Sequence, residues 1–115
     1  MSIQREKIGA MKFGNIVTGE KLAPVHPGEI LLHDFIEPMG LTRYKVAKSI
    51  SVPQRRIDEI CAGNRAITAD TAMRLGHLFG MSAQTWINLQ AQYDLEVAES
   101  ELGDRIDQEV MPVAA

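Results

Sequence analysis

Apolar residues recur every three or four positions between residues 24 and 102, and proline or glycine interrupts the pattern at short intervals. This spacing places apolar side chains on one face of an α-helix, whereas a half-buried β-strand alternates apolar and polar residues. No convincing alternation occurs in this range. The sequence therefore predicts an all-α fold of short helices joined by short breaks.

Capping and breaking residues divide this range into five helices. Pro27 suits the first turn of a helix, and Thr42, Thr68 and Ser82 are good N-caps for the second, fourth and fifth helices. The third helix is expected from about residue 54 to residue 61. The buried faces are expected, in chain order, from Ile30, Leu31, Phe35 and Ile36; Val46, Ala47 and Ile50; Ile57, Ile60 and Cys61; Ala72, Leu75, Gly76 and Phe79; and Trp86, Leu89, Tyr93 and Val97.

Outside these helices the chain changes character. Residues 1–23 have no sustained period, and they are interpreted as a flexible N-terminal arm with a short strand near residues 13–17. Residues 24–102 form the predicted globular domain. Residues 103–115 are acidic and are expected to be a flexible tail. One domain with two flexible ends is the predicted organisation.

The composition of the chain excludes several classes of protein. Its 115 residues are 45% hydrophobic and 23% charged, as in an ordinary globular domain. No apolar run is long enough to span a bilayer, and no secretory signal is evident. Cys61 is the only cysteine, so no internal disulfide forms. The expectation is a soluble protein of the cytoplasm.

The charge of the chain is unevenly distributed. The net charge is −3, yet residues 41–65 carry +4 and residues 81–115 carry −6. A compact basic stretch attracts a polyanion locally, while the acidic remainder limits non-specific adhesion. Alternatively, these Lys and Arg side chains only keep the domain soluble.

The basic stretch LTRYKVAKSISVPQRRIDEICAGNR, residues 41–65, has the pattern of a helix-turn-helix. Two short helices are separated by about three residues, and small Ala47 lets them cross closely. Their inner faces are supplied by Val46, Ala47, Ile50, Val52, Ile57 and Ile60. The residues left facing outward are Arg43, Gln54, Arg55 and Glu59.

These outward side chains suit DNA recognition, since the second helix of such a unit enters the major groove. The candidates for reading bases are Gln54 for adenine, Arg55 or Arg56 for guanine, and Glu59 for cytosine, although the Glu59 charge repels phosphate. The candidates for clamping phosphates on either side are Arg43, Asn64 and Arg65. The alternative is an ordinary helical bundle whose arginines are merely solvated.

Four segments together resemble the HigA-type antitoxins of the Cro and phage-repressor (XRE-like) helix-turn-helix family. They are HPGEIL at 26–31, the helix-turn-helix at 41–65, AITADTAMRLGHLFG at 66–80 and WINLQAQYDLEVA at 86–98. The resemblance implies a five-helix, lambda-repressor-like DNA-binding domain that forms a homodimer. It also implies a palindromic operator in the chain's own promoter and a small HigB-type toxin partner of the RelE-like mRNA-cleaving class. Pro53 departs from the family pattern, which has a small polar cap there.

Trp86, Tyr93 and Val97 share one stripe of the fifth helix and have two interpretations. They anchor that helix in the core, or they present apolar area to a second copy. Both interpretations apply if Trp86 points into the core while Tyr93 or Val97 lies nearer the second copy. The resemblance favours a dimer built around the C-terminal half.

No constellation in the sequence predicts catalysis, a metal site or a cofactor. His26 and His33 lie seven residues apart but lack further ligands, so capping or surface roles are expected. His77 is expected to be a half-buried packing residue, and Cys61 a small buried hydrophobe without a nearby histidine. Two alternatives to an antitoxin stay open: a stand-alone transcriptional regulator without a toxin, and a protein-interaction module that has lost DNA binding.

Overall fold

The structure, a computed structural model, describes residues 23–114, and residues 1–22 of the predicted arm, with the predicted strand near residues 13–17, lie outside them. The described part is all-helical, as predicted, and contains five helices. Helix α1 begins as an α-helix over Pro27–Ile30 and continues as a π-helix over Leu31–Ile36. The others are α2 (Arg43–Ser49), α3 (Gln54–Cys61), α4 (Ala69–Phe79) and α5 (Ala83–Glu109).

The helices begin where the sequence places their caps. The Nδ1 atom of His26 accepts a hydrogen bond from the Gly28 N–H at 2.9 Å at the start of α1. Thr42 Oγ1 accepts from the Lys45 N–H, and Ser82 Oγ accepts from the Thr85 N–H. Thr68 occupies the N-cap position of α4 without a side-chain bond to the backbone. Side-chain caps satisfy N–H groups that have no partner within a helix.

The π-helical part of α1 was not predicted. The Glu37 N–H donates to the Leu32 carbonyl at 2.9 Å, five residues back. The wider turn brings Leu31 and Ile36, five positions apart, to the same buried side. A regular α-helical period of 3.6 residues does not favour that alignment, so the apolar pattern alone gave an ordinary helix.

The core lies between the five helices and is closed by Trp86, which is fully buried. Its ring packs against Phe35, with the ring centroids 5.3 Å apart. The only buried amide side chain in the described range, Gln90, accepts from the buried Ile67 N–H at 2.8 Å. The remaining buried apolar side chains of the core are Leu31, Ile36, Val46, Ala47, Ile50, Ile57, Ile60, Ile67, Ala72 and Leu75.

Helix α5 is longer than the sequence predicted. It continues to Glu109, so the interpretation of residues 103–109 as part of a flexible tail is wrong. An i,i+4 contact between Arg105 Nε and Glu109 Oε2, at 3.0 Å, supports its last turns. In the described range, no helix combines the length and apolar character needed to cross a membrane.

Candidate nucleic-acid interface

Helices α2 and α3 form the predicted helix-turn-helix. Val46 and Ala47 of α2 and Ile57 of α3 are buried together in the core. The turn is closed by a hydrogen bond from the Val52 N–H to the Ala47 carbonyl at 3.0 Å. Ser51 lies in this turn with a φ of 60°, a left-handed backbone conformation that is unfavourable for residues other than glycine.

The side chains predicted to bind DNA surround the first turn of α3 and its flanking segments. Gln54 and Arg55 are the first two residues of α3, and both are exposed, with 84% of the Arg55 side chain accessible. Arg43 lies exposed in the first turn of α2, and Asn64 and Arg65 are exposed in the loop after α3. The fold thus places five of the seven predicted residues on exposed parts of the helix-turn-helix and its flanks.

Arg43 also faces α3. Its Nη1 atom lies 3.9 Å from Asp58 Oδ1, too far for a good hydrogen bond. That oxygen is buried and has no hydrogen-bond partner among the described residues. The pair is therefore a loose electrostatic contact, which leaves the donors of Arg43 available to a phosphate.

Glu59 holds two of the predicted DNA-binding arginines. Its Oε2 accepts from Arg55 Nε at 2.9 Å, and its Oε1 accepts from Arg65 Nε at 2.8 Å. The hydrogen bonds from Arg55 and Arg65 lower the pKa of Glu59, so it stays ionised. Each oxygen thus already has one arginine donor and keeps one further lone pair that can accept a hydrogen bond.

Arg56 points toward α4. Its Nη1 donates to Asp70 Oδ2 at 2.9 Å, and the side chain is only 29% exposed. Asp70 also accepts from Arg74 Nε, and Arg74 Nη1 reaches the Ile50 carbonyl at 2.8 Å in the turn. The hydrogen bond from Arg74 is the main reason that the pKa of Asp70 is lowered. Of the two arginines proposed for guanine, Arg55 is therefore the exposed one.

Asp70 and Arg74 were missed by the sequence analysis. Their i,i+4 spacing on α4 is a recognisable signal for a helix-surface pair. Their contacts with Arg56 and Ile50 link positions 14 and 24 residues apart. Such contacts follow from how α4 packs beside the turn, which no local pattern reveals.

Trp86 cannot serve as a dimer contact, because it is fully buried within its own chain. This corrects its assignment to the dimer interface and leaves the core interpretation. Tyr93 and Val97 are partly buried on the same side of α5, with the Tyr93 ring edge-on to His26 at 4.8 Å between centroids. Their role in a dimer stays a prediction.

A second apolar surface lies on the opposite side of α5. We call it the outer stripe, and it consists of Ala91, Leu95, Ala98, Leu102 and Ile106. Steps of three and four residues keep these positions on one face, about half a turn away from Trp86. Leu95 is 65% exposed, and Leu102 and Ile106 are 40% and 47% exposed.

The histidines and the cysteine occupy structural positions. His26 caps α1, and burial is the main cause of its lowered pKa. His33 is exposed and contacts Glu37 at 2.8 Å. His77 is also exposed, so the expectation that it is half-buried is wrong. Cys61 is partly buried, and burial raises the pKa of its thiol, which disfavours the reactive thiolate.

Comparison with known proteins places this helix-turn-helix in a family. No protein-family model matches the chain. It is 47% identical over 88 residues to virulence-associated protein I of Dichelobacter nodosus, covering 76% of the chain and 82% of that protein. The structure of an addiction module antidote protein of the HigA family from Coxiella burnetii has a TM-score of 0.76 and 39% identity, covering 80% of this chain and all of that one. The chain belongs to the HigA family.

A second solved member of the HigA family is relevant to the interface. The Pseudomonas aeruginosa antitoxin HigA, solved with the higBA promoter, is 37% identical to this chain with a TM-score of 0.77. The match covers 79% of this chain and 99% of that one. The two chains therefore share one fold over nearly the whole length of that relative.

Proposed function

We propose that this HigA-family chain is the antitoxin of a type II toxin–antitoxin pair. As a homodimer it binds a palindromic operator in its own promoter and represses its operon. It also neutralises an mRNA-cleaving toxin of the HigB/RelE class. The observation that carries the DNA-binding part is the exposed set of Arg43, Gln54, Arg55 and Arg65 around the start of α3.

The proposed DNA contacts follow from where these side chains lie. The N-terminal residues of a recognition helix meet base edges, and Gln54 and Arg55 occupy those positions in α3. Arg43 and Arg65 flank them and are assigned to phosphates, together with Asn64. Arg56 takes a supporting role through Asp70. A HigA relative solved with promoter DNA supports this assignment.

We assign dimerisation to α5. The outer stripe offers Leu95, Leu102 and Ile106 to a second copy, and their spacing is that of a helix packing against a helix. A symmetric pair buries the same stripe from both chains. Two helix-turn-helix units in such a dimer read half-sites about 34 Å apart along the DNA, one helical turn.

Toxin binding is assigned to the two ends of the chain. Residues 81–115 carry a net charge of −6, which complements a basic RNA-cleaving partner. The N-terminal arm, residues 1–23, is the second proposed toxin-binding segment. A fragment covering residues 24–99 that binds the toxin as tightly as the whole chain would show that neither the N-terminal arm nor residues 100–115 are needed.

The chain works by binding and not as an enzyme. Its HigA relatives are antitoxins, and no catalytic step is needed for repression or neutralisation. No cofactor or metal enters the proposal. An operator in the chain's own promoter places its work in the cytoplasm.

Fluorescence anisotropy tests the DNA-binding part. The full-length protein is titrated onto its own upstream DNA and onto a scrambled duplex, across a salt series. We expect clear preference for the upstream DNA and a steep loss of affinity with salt. Equal affinity for both duplexes, also in the presence of the neighbouring gene product, would indicate an interaction module instead.

Co-expression tests the antitoxin part. We expect the chain to restore growth that the neighbouring toxin gene arrests, and to co-purify with the toxin. A chain that represses its promoter but neither rescues growth nor co-purifies with a neighbouring product would be a stand-alone regulator.

A further inference from the structure

Glu59 occupies an unusual position for a carboxylate on a DNA-facing helix. It lies in the middle of α3, and its side chain is 29% exposed, less than those of the two arginines that it holds. A carboxylate near a phosphate backbone opposes binding by repulsion. A carboxylate at this position is therefore expected to have a favourable role in DNA binding that offsets its repulsion of the phosphates.

The contacts of Glu59 join the recognition helix to the loop that follows. Its side chain holds Arg55, one turn earlier in α3, and Arg65, six residues later. Its backbone carbonyl accepts from the Asn64 N–H at 2.8 Å. One residue therefore fixes the candidate base-reading arginine relative to the candidate phosphate-binding loop.

The atoms involved matter for what the arginines can still do. Both contacts use Nε, the guanidinium nitrogen nearest the main chain. Each guanidinium has five N–H donors, so the terminal Nη1 and Nη2 groups keep their donors. That terminal edge is a two-pronged donor suited to guanine or to a phosphate. Held in this way, Arg55 and Arg65 are oriented before DNA arrives, which lowers the entropy lost on binding.

We propose that Glu59 is a positioning residue that sets the sequence specificity of DNA binding, by holding Arg55 and Arg65 in register through their Nε atoms. The inference rests on the proposed DNA-binding function and deepens it. It differs from a simple competitor role, in which Glu59 only occupies arginines that phosphates would otherwise bind. The two roles predict opposite changes when the carboxylate is removed.

The test measures anisotropy of the full-length Glu59→Ala variant on the upstream duplex and on the scrambled duplex, across a salt series. The expected result is a loss of about fivefold or more in the ratio of the two affinities, since a correctly placed arginine–guanine pair contributes most of the discrimination at its position. The salt dependence becomes flatter, because Arg65 no longer meets its phosphate in a fixed orientation.

Three further variants isolate the positioning role. Glu59→Gln keeps one acceptor oxygen and should give an intermediate ratio. On an Arg55→Ala background, Glu59→Ala should lower the ratio far less than it does alone, since one of the two arginines is already gone. Glu109→Ala is the matched control: it removes a carboxylate with the same i,i+4 contact to an arginine Nε, at 3.0 Å, at the far end of α5, and should leave the ratio unchanged.

Other outcomes overturn the inference. An unchanged ratio of the two affinities in Glu59→Ala would show that Glu59 has no role in specificity. Tighter binding to both duplexes with a steeper salt dependence would show that Glu59 only competes with phosphates for the arginines. If the wild-type protein shows no preference for upstream DNA, either alone or with the neighbouring gene product, the proposed function fails and the inference fails with it. The wild-type titration separates these two failures before any variant is made.

Discussion

Gly28 of α1 lies directly against the backbone of Ile60 in α3. A Cβ atom added at Gly28 would sit 1.7 Å from the Ile60 carbonyl oxygen and 2.6 Å from its carbon. Both atoms belong to the backbone, so no side chain can rotate away to make room. The position of the recognition helix therefore depends on a glycine near the start of the first helix.

Gly28→Ala should destabilise the fold, because the new methyl group must push α1 and α3 apart. We expect a loss of about 1–3 kcal/mol or more, the usual cost of overpacking a well-filled site. Gly103→Ala is the control, since nothing lies within 4 Å of a Cβ there and alanine favours a helix over glycine. Denaturant unfolding checks both. Equal stability of Gly28→Ala and wild type would contradict the close contact.

Stability should fall on mild acidification because of His26. Its Nδ1 must be unprotonated to accept the Gly28 N–H, and burial is the largest cause of its lowered pKa, against the opposing effects of Asp94 and Glu29. The unfolded chain therefore binds the proton more readily than the folded one. Stability is complete above the ordinary value of 6.5 and declines as the pH falls from there through the folded pKa.

The variant His26→Asn tests this assignment. Asparagine supplies a capping oxygen that does not titrate, so the loss of stability just below pH 6.5 should shrink. Thermal unfolding at several pH values measures it. A variant with the full wild-type pH dependence would place the titrating group elsewhere.

Arg55 and Arg65 should differ in how they affect DNA binding. Arg55→Ala should cost about 1–3 kcal/mol on upstream DNA and relax the base preference. Arg65→Ala should weaken upstream and scrambled DNA by similar factors and flatten the salt dependence, as expected for a phosphate contact. Equal losses on both duplexes for Arg55→Ala would remove it from the base-reading set.

Arg56 should matter more for stability than for specificity. Its contact with Asp70 ties α3 to α4, and its side chain is largely covered. Arg56→Ala should lower the melting temperature by no more than a few degrees, as for an ion pair near the surface. The ratio of upstream to scrambled affinity should stay within about twofold. A collapse of that ratio in a fully folded variant would return Arg56 to the base-reading role.

The dimer should depend on the outer stripe of α5. Leu95→Asp places a charge at a 65% exposed apolar position of the stripe and should yield a monomer in sedimentation velocity. Met73→Asp is the control, a 58% exposed apolar position on α4. Because α5 is acidic, we also expect the wild-type dimer to tighten with added salt. An unaltered dimer in Leu95→Asp would place the interface elsewhere.

The parts of the fold that follow from local rules were predictable from sequence. Caps at Thr42 and Ser82, and the exposed start of α3, depend on residues a few positions apart. The contacts that were missed join distant segments: Arg56 with Asp70 across two helices, and Gln90 with the Ile67 backbone. Their partners are set by packing, which the apolar period does not specify.

The assignment of Trp86 to a dimer interface erred for a related reason. The stripe of Trp86, Tyr93 and Val97 was recognised, but a periodic pattern does not say whether a face meets its own chain or another. The outer stripe was hidden because acidic residues flank Leu102 and Ile106, which gave the end of the chain the composition of a tail. The burial of each side chain distinguishes the two faces of α5: Trp86 is buried within its own chain, whereas Leu95, Leu102 and Ile106 of the outer stripe are exposed.

The most direct test of the central claim is a hydroxyl-radical footprint of the wild-type protein on its own upstream DNA, beside Arg55→Ala. A dimer that reads DNA through α3 should protect two half-sites centred about one helical turn, or 10 base pairs, apart. Both protected regions should weaken together in Arg55→Ala. Uniform protection along the duplex, or a footprint that Arg55→Ala leaves intact, would contradict recognition through this helix.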